Sequence, residues 1–183
     1  SKDNFMFMRN DRNRLFIQFL NKGLYELVGN TFVKLAGSDF FASSVVTSIL
    51  PFSGNRVLIT TSNHGLFIWD NGKFSEWKIA IADDLKQNII NKAVVLSADS
   101  SFAFGTISKG LYVVDKNGNL KYQIKKENGL QNNTILCLFE DNRNRLWLGL
   151  DQGIDLIKLS SPSSADQSND DPRGSTYAAA IGK

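Results

Sequence analysis

One cysteine, one histidine and three prolines are all that this chain of 183 residues holds of those types, and each scarcity removes a class of protein. Cys137 has no partner for an internal disulfide and, set in the apolar run ILCLF, reads as a thiol buried in a core. With His64 alone, no zinc site built on two histidines is available, and no metal or other cofactor is expected. So few prolines in a chain that is 42% hydrophobic and 11% aromatic suit strands and hairpins better than a Pro-rich linker or a disordered protein. No apolar stretch approaches the roughly 18 to 20 residues of a membrane-crossing helix. The opening SKDNFMFMRN lacks the layout of a secretory signal, so the chain reads as cytosolic or as a piece cut from a longer precursor. Sustained helical periodicity is missing too: the best window, residues 79–85, is short and loosely patterned, and almost no helix is expected. The net charge of +3 is spread along the chain, and the densest basic run, Lys121, Lys125 and Lys126, is broken by Glu127. Nucleic acid, which demands a clustered basic surface, is therefore not an expected partner.

What is present is a period. A glycine followed by apolar residues recurs as Gly23-Leu24-Tyr25, Gly65-Leu66-Phe67, Gly110-Leu111-Tyr112 and Gly153-Ile154, at intervals of 42, 45 and 43 residues. That spacing suits the four-stranded blade of a β-propeller. Before each glycine stands a short apolar run (Leu15-Phe16-Ile17, Val57-Leu58-Ile59, Phe102-Ala103-Phe104, Leu146-Trp147-Leu148), and after it a second one (GLYEL, GLFIWD, GLYVVD, GIDLIKL). Three of the second runs meet a hairpin signal, Gly29-Asn30, Asn71-Gly72 or Asn117-Gly118, residue types that tolerate the positive φ of a tight turn. Alternating outer strands follow from Phe32, Phe74 and Leu120, and more continuously apolar inner strands open the units from Phe5, Val45, Lys92 and Thr134.

The fold class is therefore all-β, a β-propeller of about four four-stranded antiparallel blades at residues 4–35, 45–79, 92–124 and 134–159. After Lys158 the composition shifts to SSPSSADQSNDDPRGS, a polar linker or loop over residues 160–175. Residues 176–183 then read as the first strand of a further, truncated blade, and with the missing outer strand of the fourth unit this favours a fragment of a larger propeller, of the seven-bladed type, over closure as a four-bladed one.

The stretch ENGLQNNTILCLFEDNRNRLWLGLDQGIDLIKL resembles the two-component regulator propeller repeat. Gly129, Leu130, Asn132, Asn133, Asp141, Trp147, Gly149 and Gly153 match the family pattern. Asn144 stands in place of a glycine, an exchange allowed because Asn also visits left-handed backbone, and Leu150 stands in place of a threonine. The third unit keeps Asn91, Asp99 and Phe104-Gly105-Thr106; the second and first match less, with Thr60-Thr61 and Gln18-Phe19 at the Gly-Thr positions. The resemblance implies the periplasmic sensor portion of a hybrid histidine kinase anchored in the inner membrane. It further implies an oligosaccharide as ligand, a second propeller and the remaining blades as partners, and membrane contact only through parts outside this chain.

Candidate residues follow from strand alternation, because the turn between second and third strands shares an end with the connection to the next blade. That end presents Asn21, Lys22, Asn63, His64, Ser108, Lys109, Asp151 and Gln152, with Phe40, Phe41 and Asn88 on the long connections. Of these, Lys22, Phe40, Phe41, Asn63, His64, Lys109, Asp151 and Gln152 are the expected ligand contacts. Gly23, Gly65, Gly110 and Gly153 are structural, as are Asp99 and Asp141, read as turn caps, and Trp147, read as a wedge between neighbouring blades. No catalytic residue is expected, since no acids, metal ligands or activated nucleophile converge; Ser62 near His64 lacks a nucleophile elbow. The alternative to a ligand sensor is a scaffold propeller that binds another protein or its own copy in a dimer.

Overall fold

A computed structural model describes residues 5–11, 14–159 and 176–177. Its strands are β1 (Phe5–Asp11), β2 (Arg14–Phe19), β3 (Gly23–Val28), β4 (Thr31–Lys34), β5 (Val46–Pro51), β6 (Val57–Thr61), β7 (Leu66–Asp70) and β8 (Lys73–Glu76). They continue with β9 (Ile90–Val95), β10 (Phe102–Thr106), β11 (Leu111–Val114), β12 (Leu120–Ile124), β13 (Ile135–Glu140), β14 (Arg145–Leu150), β15 (Ile154–Lys158) and β16 (Thr176–Tyr177). Taken four at a time in chain order they form four antiparallel sheets, β1–β4, β5–β8, β9–β12 and β13–β16. These are β-propeller blades, and the four recurring glycines occupy the same place in each, at the entry to the third strand. There φ is 100° at Gly23, 102° at Gly65, 72° at Gly110 and 99° at Gly153, a region closed to most side-chain-bearing residues.

The hairpin signals also act as their chemistry dictates. Asn71 and Gly72 both take positive φ in the two-residue turn that pairs Asp70 with Lys73. Gly29 alone does so in the turn pairing Val28 with Thr31. Asn144, standing for a glycine, adopts φ 56°.

The chain divides into two compact units, residues 1–93 and 94–183. In the first, one face of β2 and β3 supplies Phe16 and Leu24 to a core completed by Phe41, Val46, Ile49, Val57 and Ile59. In the second, Ala103, Leu111 and Val113 meet Ile135, Leu146, Leu148, Leu150 and Ile157. Each core thus lies between two successive sheets, since a four-stranded sheet cannot dry its own apolar face. Gly105 shows how close the second pair comes: a Cβ added there would lie 2.6 Å from Ile135 Cγ2 and 3.3 Å from Leu138 Cδ1.

Three expectations are corrected. Cys137 is exposed, not buried: a bulge shifts the β13–β14 register between Ile135 and Cys137, which turns Ile135 and Leu138 toward the core and Cys137 away from it. Thr176–Tyr177 does not open a new unit; β16 pairs antiparallel with β15, Tyr177 opposite Leu156, as the outer strand of the fourth sheet. The connecting residues 160–175, and residues 178–183, lie outside the described residues. The one α-helix among the described residues, six-residue α1 (Ala82–Gln87), overlaps the window 79–85; it is anchored by fully buried Leu85 and closed by Asn88, whose Nδ2 donates to Asp84 O at 2.7 Å. The outer strand from Phe74 ends at Glu76, short of Trp77 and Ile79.

Gly110 and Gly72 separate two reasons for glycine. Both have positive φ, but a Cβ on Gly110 would strike the Ile124 carbonyl, whereas one on Gly72 meets nothing within 4 Å. Gly72→Ala should cost about 1 to 2 kcal/mol from backbone strain alone. Gly110→Ala should cost about 1 to 3 kcal/mol beyond that from the clash. Urea denaturation of both variants measures the gap, and equal costs would contradict the close approach at Gly110.

Candidate functional site

The turns that enter the third strands are built by one device in the second and third sheets. Thr61 Oγ1 accepts from His64 N at 3.0 Å and donates to Gly65 O at 2.8 Å. Thr106 Oγ1 accepts from Lys109 N at 3.0 Å and donates to Gly110 O at 2.8 Å. Each threonine is fully buried, so its hydroxyl fixes the turn from beneath and leaves residues such as Asn63, His64 and Lys109 exposed. In the first and fourth sheets Phe19 and Leu150 stand at this position and offer no hydroxyl; Leu150 N keeps only the backbone bond to Gly153 O at 3.0 Å that Thr61 N and Thr106 N also make to Gly65 O and Gly110 O.

In the first unit these turns carry an aromatic group. Phe40, 45% exposed on a short 3-10 turn (Ser38–Ala42), stands edge-on to His64 with ring centroids 5.7 Å apart. From behind it is supported by Phe67 at 5.0 Å and Phe41 at 5.4 Å. Phe41, expected to face a ligand, is instead 1% exposed and belongs to the core, where it also meets Phe74. Gln18 is the residue that sequence reasoning missed. Buried in β2, it donates through Nε2 to the carbonyls of Phe41 at 2.7 Å and Ser44 at 2.5 Å, and accepts from Val46 N at 3.0 Å. It thereby pins the loop that presents Phe40; its place in the threonine–glycine register is the signal that marks it. Lys22 and Asn63 are exposed on neighbouring turns of the same unit. Asn88, in contrast, is buried and spent on closing α1.

In the second unit Lys109, Asp151 and Gln152 are exposed on the corresponding turns. Fully buried Asp155 stands where Tyr25, Phe67 and Tyr112 stand in the other sheets. Its carboxylate accepts from Gln131 N at 2.9 Å and Gln131 Nε2 at 2.6 Å, tying the Gly129-Leu130-Gln131 connection to β15. Asn132 and Asn133 complete that connection by accepting from Thr134 N at 2.9 Å and Lys126 N at 2.7 Å.

The opposite end of this unit holds the acidic turn residues. Asp141 Oδ1 accepts from Arg143 N at 2.9 Å and Arg145 N at 3.1 Å; its Oδ2 accepts from Arg145 Nε at 2.7 Å and Trp147 Nε1 at 3.0 Å. Trp147 thus spends its indole N–H within its own sheet. It is half-buried on the face of β14 opposite the core, spent on the Asp141 turn, with the Arg145 guanidinium 5.7 Å from its ring centroid. Asp99 caps its own turn through Ser101 N at 3.0 Å and pairs with Lys121. Between the third and fourth sheets a shallow cleft is lined by Asp99, Lys121, Tyr122, Glu140 and Asn144 over Leu96 and Val113. Its polar groups are engaged with one another or with backbone: Ser97 N donates to Glu140 at 2.8 Å and Ser97 Oγ to Asn144 Oδ1 at 3.0 Å. Among the described residues no group of three or more His, Cys, Asp and Glu side chains is placed to hold a metal ion.

With these geometries in view, comparison with known proteins defines the class. Residues 129–152 match the family model of the two component regulator propeller. Among solved structures, the extracellular domain of a protein described as the hybrid two component system BT4673 from B. thetaiotaomicron is 17% identical with a TM-score of 0.65, covering 91% of this chain and 23% of that one. The corresponding domain of BT3049 from B. thetaiotaomicron is 20% identical with a TM-score of 0.57, covering 84% and 20%. The WD40 β-propeller domain of Doa1 is 13% identical with a TM-score of 0.62, covering 82% and 48%. Comparison with curated proteins returned no match. The chain spans a quarter or less of the two extracellular domains, and these likenesses establish its fold as propeller blades. The family match falls on the connection before β13, on β13 and β14, and on the turn after them.

The Asp141 turn makes a pH signature. The Trp147 indole N–H, against the opposing effect of burial, together with the amides of Arg143 and Arg145 and the Arg145 guanidinium, holds the Asp141 carboxyl well below its ordinary value of 3.8. A depressed folded-state pKa means that this carboxylate stabilises the fold fully at neutral pH. That contribution declines once pH drops toward the unfolded value, and continues to decline until the folded carboxyl itself takes up its proton. Asp141→Asn should therefore be less stable than the parent at neutral pH and lose stability less steeply between about pH 4 and pH 2. Denaturation midpoints measured across that range check it; a profile parallel to the parent's would contradict the assignment.

Proposed function

We propose that this chain is part of the ligand-sensing, extracytoplasmic portion of a two-component signalling protein. The match of residues 129–152 to the two component regulator propeller carries this reading. The fold likeness to the extracellular domains of BT4673 and BT3049 supports it. The ligand class is an oligosaccharide, and the chain itself performs no catalysis. Ligand contacts bias the arrangement of the sensor and hence the activity of a linked histidine kinase across the inner membrane, which places this chain in the periplasm. The remaining blades and a second propeller belong to the same parent protein.

Support for a sugar as ligand comes from the turn end of the first unit. An exposed phenyl ring held rigid from behind by two other rings, with an imidazole, an amide and an ammonium group on adjoining turns, supplies an apolar platform and polar groups of both hydrogen-bonding senses. The test is calorimetric titration of the protein against a broad panel of oligosaccharides. At least one should bind, and Phe40→Ala should weaken that binding about tenfold, near 1.4 kcal/mol, with a melting temperature close to the parent's. Absence of binding across the panel, or binding unaffected by Phe40→Ala, would overturn the site.

A further inference from the structure

Ile89 carries a strain that its position does not require. Its φ is 56°, and the other side-chain-bearing residues at positive φ among those described are three asparagines and a serine. It follows the cap Asn88 at the end of α1, the place where a left-handed residue stops a helix and where glycine is the usual occupant. A Cβ crowds the backbone in this conformation, and branching at Cβ worsens the crowding. Glycine or asparagine would end the helix equally well without that conflict. Nor does the core hold the side chain in place: Ile89 is 44% exposed, while its neighbours Leu85 and Ile90 are fully buried and anchor the helix and β9 without it. Strain of this kind, kept where packing does not demand it, points to a function.

The backbone brings Ile89 to the turn end of the first unit. Ile90 N donates to Ser62 O at 2.9 Å, so the residue after α1 borders the turn that carries Asn63 and His64. Ser62 Oγ donates to Asn63 Oδ1 at 3.1 Å. The oxygen of the Asn63 carboxamide is engaged in this way, and its exposed Nδ2 has no acceptor among the described residues. Ser62 therefore adjoins both a free amide donor and a branched aliphatic side chain. Beside them stands the His64 ring, edge-on to exposed Phe40.

We infer that Asn63 and Ile89 form a subsite for the acetamido group of an N-acetylated sugar, next to the Phe40 platform. An acetamido group places a carbonyl acceptor and a methyl group on one carbon, so it calls for a donor and an apolar contact side by side. A hydroxyl at the same sugar carbon would use the donor and leave the isoleucine wet. The inference rests on the proposed oligosaccharide-binding role and names the chemistry of that ligand.

Two trisaccharides of the same linkage and glucose-derived backbone, triacetylchitotriose and cellotriose, isolate the acetamido group in calorimetric titrations. The protein should bind the acetylated sugar about tenfold more tightly. Ile89→Gly should raise the melting temperature by roughly 2 to 4 °C as the left-handed strain is relieved. The same variant should cut the preference for the acetylated sugar about fourfold, the worth of one methyl contact. Ile89→Val keeps the branched carbon, and should keep both the parent's preference and its melting temperature. Asn63→Ala should cut the preference by a similar factor with the melting temperature unchanged. A protein that binds oligosaccharides through Phe40 without preferring triacetylchitotriose would overturn this inference and leave the proposed function standing. So would an Ile89→Gly variant that weakens both sugars equally, or one that melts below the parent. Binding of no oligosaccharide at all would overturn the proposed function and this subsite with it.

Discussion

Apolar contact between consecutive four-stranded sheets is the constraint on which the structure depends. A sheet of this size has one strand, the outer, that is largely wet: β4 is exposed at all four positions. Its dry area is confined to the inner three strands, where leucine, isoleucine, valine and phenylalanine alternate, and that area is useful only when another sheet covers it. The repeat follows from this requirement. A glycine at the entry to each third strand gives the sheets a common shape, so that within each unit one sheet covers the next. A bulge in the inner strand recurs between Phe5 and Phe7, Val46 and Ser48, and Ile135 and Cys137.

Local polar chemistry serves this contact. Asp141 gathers two backbone amides, a guanidinium and an indole into one turn. Buried threonines at 61 and 106 hold the turns at the other end. Where the pattern lapses, another group takes over: Gln18 reaches across to the loop from Phe41 to Val46, and Asp155 fastens Gln131. The exposed residues at the turn end owe their positions to these buried bonds, which is how a repeat maintained for packing can also present a ligand surface.

Much of the fold was legible in the sequence because its signals are local and recur. Glycine spacing, the Asn71-Gly72 hairpin and the left-handed Asn144 depend on nearest neighbours in the chain. What escaped depends on partners distant in sequence. Cys137 sits in an apolar run that looks buried throughout, and only the bulge, a property of pairing with β14, turns it outward. Thr176–Tyr177 joins β15 across residues that carry no strand signal, so its partner could not be read from its own composition. The turn-end residues were identified as exposed by strand alternation, but Phe40 and Phe41, adjacent in sequence, divide into one exposed ring and one core ring. That division is set by the 3-10 turn and by Gln18.

The account stands or falls on the sheet-to-sheet contact at Gly105, and a double-mutant cycle measures it directly. Gly105→Ala places a methyl 2.6 Å from Ile135 Cγ2, and Ile135→Ala removes that atom and so the closest part of the clash. If the contact governs stability, each single variant is destabilised, while the double variant loses less than the sum of the two by at least about 1 kcal/mol. Strict additivity would show that the two sheets do not bear on one another there, and would contradict the account.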